Sequence, residues 1–283
     1  MQNSHIASAN REPGLASPQL LGGAQRAEKM QGHWILARAG KRVLRPGGLE
    51  LTKQMLDALE IGPLDRVVEF APGLGVTAEM TLRRKPCAYW GVEREPAAAE
   101  QLRKRLDASG AIVVLASAER SGLPDCTATV VYGEALLSMQ TQEQKSRIVA
   151  EACRLLVPGG RYAIHELCLL PDEISDTVRH EIQAAMAKGI NVGVQPLSGS
   201  EWRRLFEQNG LRITWSGEAP MHLLQPWRLL RDEGLVGSLR FALKMATDKT
   251  IRQRVCAMRR LFRKYSRHLG AISLVGQREL GNA

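Results

Sequence analysis

The chain predicts an α/β fold: a seven-stranded, mostly parallel sheet with helices on both faces, an N-terminal helical cap, and a helical insertion before the last strand. Three observations support this. From residue 66 onward, short apolar runs alternate with amphipathic stretches of helical period, the mark of strands joined by crossover helices. The first such run ends in Ala71-Pro72-Gly73-Leu74-Gly75, a turn that opens directly into a helix. With 283 residues and 44% hydrophobic content, the chain is long and apolar enough to bury a sizeable core.

Residues 1–18 are polar and rich in small side chains, lack the apolar core of a secretory signal, and are expected to form a disordered tail. Residues 19–62 form the cap. It comprises a helix over 20–43, which stops before Arg45-Pro46-Gly47-Gly48, and a second over 50–59, which is ended by Gly62-Pro63. The core, 63–170, has strands over 66–70, 89–93, 111–115, 128–131 and 161–165, with helices over 77–84, 96–106 and 142–156. The last of these helices repeats Ile148, Ala152 and Leu155 and breaks at Pro158-Gly159-Gly160. Residues 171–198 are an irregular excursion with a helix over 174–187 and the glycine-bearing stretch Gly189-Ile190-Asn191-Val192-Gly193. Residues 199–283 carry a helix over 201–208 capped by Ser200, a strand over 211–215, an insertion over 220–267 and a last strand over 271–275. All of 19–283 reads as one domain.

Five scattered cysteines without a Cys-x-x-Cys pair signal neither a disulfide framework nor a zinc site, and fit reduced thiols in a cytoplasmic protein. No apolar run reaches the roughly 18 residues of a membrane span. The 39 Lys and Arg against 29 Asp and Glu give a net charge of +10, which favours acidic partners such as nucleic acid or an anionic membrane surface. Over 250–269, Arg252, Arg254, Arg259, Arg260, Arg263, Lys264 and Arg267 share an amphipathic helix with Val255, Met258 and Phe262. Its basic face is read as solvated, with nucleic acid or membrane as the alternative.

A strand ending in a glycine-rich turn at a helix start presents bare backbone and N–H groups to a ligand. Gly73, Gly75 and Ala78 also satisfy the dinucleotide pattern G-x-G-x-x-[GA], with Glu93 about 20 residues on. The turn alone does not decide between ligands. The succession of segments does narrow the choice: Glu69 through Gly75, Glu93 ending the second strand, and the run from Arg154 through Pro158-Gly159-Gly160 into Ile164. In this order the chain resembles the class I S-adenosylmethionine-dependent methyltransferases, in the branch acting mostly on small molecules, over residues 51–215. The resemblance implies a Rossmann-like sheet and S-adenosyl-L-methionine as cofactor, with no metal. The cofactor contacts it implies are Glu69, Ala71, Pro72, Gly73, Gly75 and Thr77 on the first loop, Glu93 and Arg94 after the second strand, Ser117 and Ala118 after the third, and Tyr132 and Gly133 after the fourth. Two departures stand out. Ala116-Ser117-Ala118 lacks the acid that usually meets the adenine amine, leaving Ser117 or Glu119 to replace it. Ala71-Pro72 stands where the first glycine of the turn is expected.

For a methyl acceptor the resemblance points to the ends of strands four and five and to the cap and insertion that would cover them. Candidate catalytic residues are Glu134, as base or electrostatic partner, and His165, His222 and His33. A core role for His165 and a loop role for Glu134 are the plain alternatives. Residues 171–198 are expected to form an acceptor lid. The reading is an enzyme that moves a methyl group to a small molecule and releases S-adenosylhomocysteine. A nucleic-acid methyltransferase and a non-catalytic cofactor-binding protein are the alternatives.

Overall fold

A computed structural model describes residues 31–43, 45–221, 224 and 226–279, with the side chains of residues 33 and 226–228 set aside. Expectations for residues 1–30, the 1–18 tail included, and for His222 therefore fall outside the described residues. The described chain runs α1 (Gly32–Arg38), α2 (Gly48–Ala58), β1 (Arg66–Phe70), α3 (Val76–Leu82), β2 (Ala88–Glu93), α4 (Pro96–Leu106), β3 (Ile112–Leu115), β4 (Ala128–Glu134), α5 (Gln142–Leu155), β5 (Leu156–Leu169), α6 (Asp176–Ile190), β6 (Leu197–Ser198), α7 (Gly199–Glu207), β7 (Leu211–Pro220), α8 (Pro226–Thr247), α9 (Lys249–Lys264) and β8 (Leu269–Arg278).

The strands form a sheet of order β3-β2-β1-β4-β5-β8-β7, with the two-residue β6 on β5. Pairing is parallel from β3 through β5, whereas β8 runs antiparallel to both β5 and β7. Strand order reverses between β1 and β4. The crevice beyond their carboxyl ends is where open α/β sheets receive ligands, because helices on opposite faces diverge there. β1 and β4 are buried along nearly their whole length, which explains why both read as continuous apolar runs rather than alternating ones.

Local chemistry sets several boundaries away from their sequence expectations. The first helix ends at Arg38 rather than 43, since Gly40 adopts φ +97 and the N–H groups of Arg42 and Val43 bond to Glu233 instead of continuing a helix. β5 is far longer than 161–165. Leu156 already pairs with Ala128, the Pro158-Gly159-Gly160 turn is absorbed as an irregularity of the β4–β5 register, and β8 supplies partners as far as Leu169. The α7 cap is Ser198, not Ser200, because Glu201 sits three residues into the helix and closes a reciprocal capping box with it. β7 extends to Pro220 as an edge strand with alternating exposure. The insertion is a pair of helices, α8 and α9. They pack through Phe241, Ile251, Val255, Met258 and Phe262 with Ile35 and Leu36 of α1 and Ile182 and Met186 of α6, forming a third core, mostly helical, that also takes in Leu167 and Leu169 of β5 and Leu269 of β8.

Candidate active site

The loops after β1, β2, β3 and β4 border a cavity of about 500 Å³, within the size range of small-molecule sites. Of the cofactor residues expected from sequence, Ala71, Pro72, Gly73, Glu93, Arg94, Ser117 and Ala118 line it, and Glu134 does so among the catalytic candidates. Among the described residues Glu69, Gly75, Thr77, Tyr132, Gly133 and His165 are not part of its lining.

The two glycines of the first turn serve different ends. Among the described residues, its chain neighbours aside, a Cβ on Gly73 (φ +52) would meet nothing nearer than the Ala71 carbonyl oxygen at 3.9 Å, so its bare face is open toward the cavity. A Cβ on Gly75 (φ +73) would lie 2.7 Å from Leu102 Cδ1, so this glycine lets α3 start close against α4. Ala71 and Ala135, at the ends of β1 and β4, are both left-handed at φ 52 and φ 51, a conformation that costs a non-glycine residue roughly 1–2 kcal/mol. Both line the cavity. Strain of this kind collects where surrounding structure imposes a loop shape on a binding site.

Glu93 Oε2 accepts from Gly73 N at 3.2 Å and Oε1 from Glu95 N at 2.9 Å, so the acid ending β2 also shapes the glycine turn. Ser117 Oγ accepts from Glu119 N, which leaves its hydroxyl hydrogen to donate. Glu119 itself takes bonds from Arg147 and Gln144.

Glu69 and Tyr132 belong to a different environment. Both Tyr89 and Tyr132 donate to Glu69 Oε2, at 2.5 and 2.6 Å, and Tyr132 also meets Thr81 of α3, so this cluster bonds within itself and does not line the cavity. Burial pushes the Glu69 carboxyl up to about 7, against the opposing effect of the two tyrosine bonds. The folded protein thus holds this proton more tightly than the unfolded chain. Its contribution is fully present below the ordinary value of 4.5 and is lost as pH rises through 7, roughly 3 kcal/mol in all. Stability measured by urea unfolding is expected to fall between pH 4.5 and 7.5 in the wild type. Glu69→Gln, which stays neutral, should flatten that part of the profile. An unchanged slope would mean that Glu69 is not the group responsible.

Glu134 is the centre of a buried ionic network. Its Oε1 accepts from Thr52 Oγ1 at 2.6 Å, faces His165 Nδ1 at 2.9 Å and pairs with Arg45 Nε at 3.1 Å, while Oε2 accepts from Thr77 Oγ1 at 2.5 Å. Burial disfavours its charge, but Arg45 and the bonds from His165 and Thr52 outweigh it and hold the carboxyl down at about 2. His165 Nε2 faces the Pro46 carbonyl at 2.6 Å, so the ring is held between Glu134 and the Pro46 backbone. His165 is completely buried and acts on the site through Glu134 and Pro46.

Arg45 was not among the sequence candidates. Its Nη2 is buried without a hydrogen-bond partner among the described residues, and the residue lines the cavity, so it offers a cationic donor to an incoming anionic group. α8 holds this segment in place. Glu233 accepts from the backbone N–H of Arg42 and Val43 at 2.8 and 2.9 Å, Asp232 accepts from Leu49 N at 3.1 Å, and Lys41 Nζ lies 3.6 and 3.7 Å from the two carboxylates. Nothing local in Arg45-Pro46-Gly47-Gly48 signals a site, because the partners lie some 90 and 190 residues away. Glu166, which with His165 was expected at the end of strand five beside the acceptor, lines the cavity, and its carboxylate accepts from the N–H groups of Leu136, Leu137 and Ser138 and from the Ser138 hydroxyl, fixing the turn after β4.

The far wall of the cavity is apolar: Trp34 and Leu36 from α1, Met186 and Ile190 from α6, Val192 and Val194 after it, Met221 after β7, and Met258 and Phe262 from α9. The excursion expected over 171–198 thus contributes to the cavity through α6. His33 stands in α1, and its side chain is outside the description.

Comparison with known proteins agrees with this architecture. A family model described as a methyltransferase domain matches residues 67–160. An uncharacterized protein of Haemophilus influenzae is 33% identical over 215 residues, covering 74% of this chain and 83% of that one. Among solved structures, phosphoethanolamine N-methyltransferase 2 of Haemonchus contortus in complex with S-adenosyl-L-methionine superposes with a TM-score of 0.66 at 10% identity, over 88% of this chain and 56% of that one. Geranyl diphosphate C-methyltransferase of Streptomyces coelicolor, bound to geranyl diphosphate and S-adenosyl-L-homocysteine, gives 0.59 at 16%, over 81% and 78%. The Rossmann-like sheet and the matched methyltransferase domain together place the chain among the class I methyltransferases, enzymes that take their methyl group from S-adenosylmethionine.

Proposed function

We propose that the enzyme methylates a small, largely apolar acceptor seated against α1, α6 and α9, with the cofactor held at the carboxyl ends of β1 to β4. The observation behind this is the division of the cavity by element: the strand ends supply its polar and charged lining, whereas the helices supply Trp34, Met186, Ile190, Met258 and Phe262. The residues present suit the cofactor. Gly73 leaves room for close approach, Glu93 offers carboxylate oxygens for ribose hydroxyls, Ser117 offers a hydroxyl to the adenine, and Arg45 Nη2 is the donor for the methionyl carboxylate. When bound, S-adenosylmethionine supplies a methyl group on a sulfonium, open to in-line displacement.

The chain's own task is to align and to dry. The apolar wall excludes water, so the acceptor meets the donor with little solvent to displace and in a restricted set of orientations. Glu134 is saturated by donors and held near 2, so it acts as a fixed negative charge rather than as a base. Its role is to hold Arg45 and to balance positive charge in the cavity. The favoured acceptor therefore presents an electron pair without needing a carboxylate to remove its proton. On this reading α1, α6 and α9 cover and shape the acceptor end of one domain built on the sheet.

The test is release of S-adenosylhomocysteine, followed by mass spectrometry, against a panel of apolar amines, thiols and prenylated phenols, with RNA as comparison. Turnover is expected on apolar acceptors. Ile190→Ser should raise KM for the acceptor about tenfold, the scale of one lost aliphatic contact, and leave affinity for S-adenosylhomocysteine unchanged. Turnover on RNA alone would overturn the reading.

A further inference from the structure

The second half of α8 carries an apolar face that no described part of the chain covers. Gly234, at φ 72, breaks the helix, and beyond it Leu235, Val236, Leu239 and Leu243 are 77%, 73%, 71% and 64% exposed. At 3.6 residues per turn these four, with the exposed Ala242 and Ala246, fall within about a third of the helix circumference. The opposite side is anchored by Phe241, buried in the same helical core as Met258 and Phe262. The stripe is therefore a built outer face of a packed helix.

Charge singles out what would cover it. The acids of α8 and α9 and their junction are Asp232, Glu233 and Asp248. The first two are buried against Lys41 and the segment leading to α2, and Asp248 caps α9. Arg240 borders the apolar stripe on the helical wheel with Lys244 one turn further on, and Lys249 and Arg252 follow on α9. A second copy of the chain, seated face to face, would bring these cations against themselves. A nucleic acid would leave four aliphatic side chains without an apolar partner. An anionic phospholipid surface satisfies both halves, since the leucines enter the headgroup boundary while the cations meet phosphates.

We propose that residues 234–247 dock this enzyme on an anionic phospholipid bilayer as an interfacial helix. No described helix is long and apolar enough to cross a membrane, so the contact is peripheral. Docking would set the apolar wall of the cavity, shared through Phe241, Met258 and Phe262, next to the lipid phase. That consequence rests on the acceptor reading above; the docking does not.

The experiment is cosedimentation of the full chain with vesicles of phosphatidylcholine alone and of three parts phosphatidylcholine to one part phosphatidylglycerol. Binding is expected to the anionic vesicles, about tenfold weaker to the neutral ones, and reduced by salt. Leu239→Glu with Leu243→Glu should lower partitioning about a hundredfold, and Arg240→Glu with Lys244→Glu about tenfold. Both pairs should retain S-adenosylhomocysteine affinity and melting temperature, since these side chains lie outside the cavity. Absence of sedimentation with either vesicle would overturn the proposal, as would equal sedimentation of the leucine variant. So would a wild-type dimer, seen by light scattering, that the leucine variant converts to monomer. A protein that docks but methylates only RNA would keep this inference and discard the acceptor reading.

Discussion

Gly73→Val is expected to reduce affinity for S-adenosylmethionine and S-adenosylhomocysteine by more than about a hundredfold while the protein stays folded. The added side chain would point into open cavity space, since among the described residues, its chain neighbours aside, nothing lies closer to its first carbon than the Ala71 carbonyl oxygen at 3.9 Å. Its cost to the fold is the left-handed backbone at φ +52, roughly 1–2 kcal/mol, which a protein of this size tolerates. Its cost to binding is steric exclusion from the narrowest approach of backbone to ligand, and a hundredfold corresponds to about 3 kcal/mol. Gly75→Val is the informative companion. There the new carbon runs into Leu102, so melting temperature should fall along with binding. Calorimetric titration with S-adenosylhomocysteine, next to thermal melts of both variants, separates the two effects. Wild-type affinity in Gly73→Val would move the cofactor away from the β1 loop.

Glu134→Gln should be among the most destabilising conservative changes in the chain, on the order of 3–5 kcal/mol at neutral pH. The substitution keeps the shape but removes the negative charge facing Arg45, leaving a buried positive charge without its counterion, and alters the bond to His165. Acid titration supplies the second signature. A carboxyl held at about 2 contributes stability that is present above the ordinary value of 4.5 and is lost as pH falls through 2, roughly 3 kcal/mol in total. Urea unfolding between pH 6 and 2 should therefore show a loss in the wild type that exceeds the loss in Glu134→Gln by about that amount. Adding Arg45→Met to the variant should recover part of its stability, because the pair interacts directly. Equal acid profiles for the two proteins would mean that the network is held by neutral hydrogen bonds.

The α/β class, the alternation of elements and the glycine turn after β1 were legible in the sequence because each depends on neighbours in the chain. Burial on both sides makes β1 and β4 continuous apolar runs. The close approach of α3 to α4 requires the glycine at 75, and a helix beginning at Pro96 is written by that proline. Boundaries were misjudged where long-range pairing decides them. β5 reaches from Leu156 to Leu169 because β4 and β8 offer partners along that length, and no local signal in 156–169 records those partners.

The site divides along the same line. Gly73, Glu93 and Ser117 lie on loops at the carboxyl ends of strands, so strand order alone carries them to one crevice. Glu69 and Tyr132 occupy equally suggestive positions in sequence, but they stand further back from the strand ends, where they bond to each other and to Tyr89 and Thr81 instead of facing the cavity. Arg45, the buried charges around Glu134 and the apolar wall from α6 and α9 were set only by the tertiary structure. Their partners are far apart in the chain, and a buried charge acquires its protonation state from what is packed against it. The sequence by itself thus determined which fold forms and where its ligand crevice opens. Folding decided which of the charged residues near that crevice are committed to one another and which donor is left for a ligand.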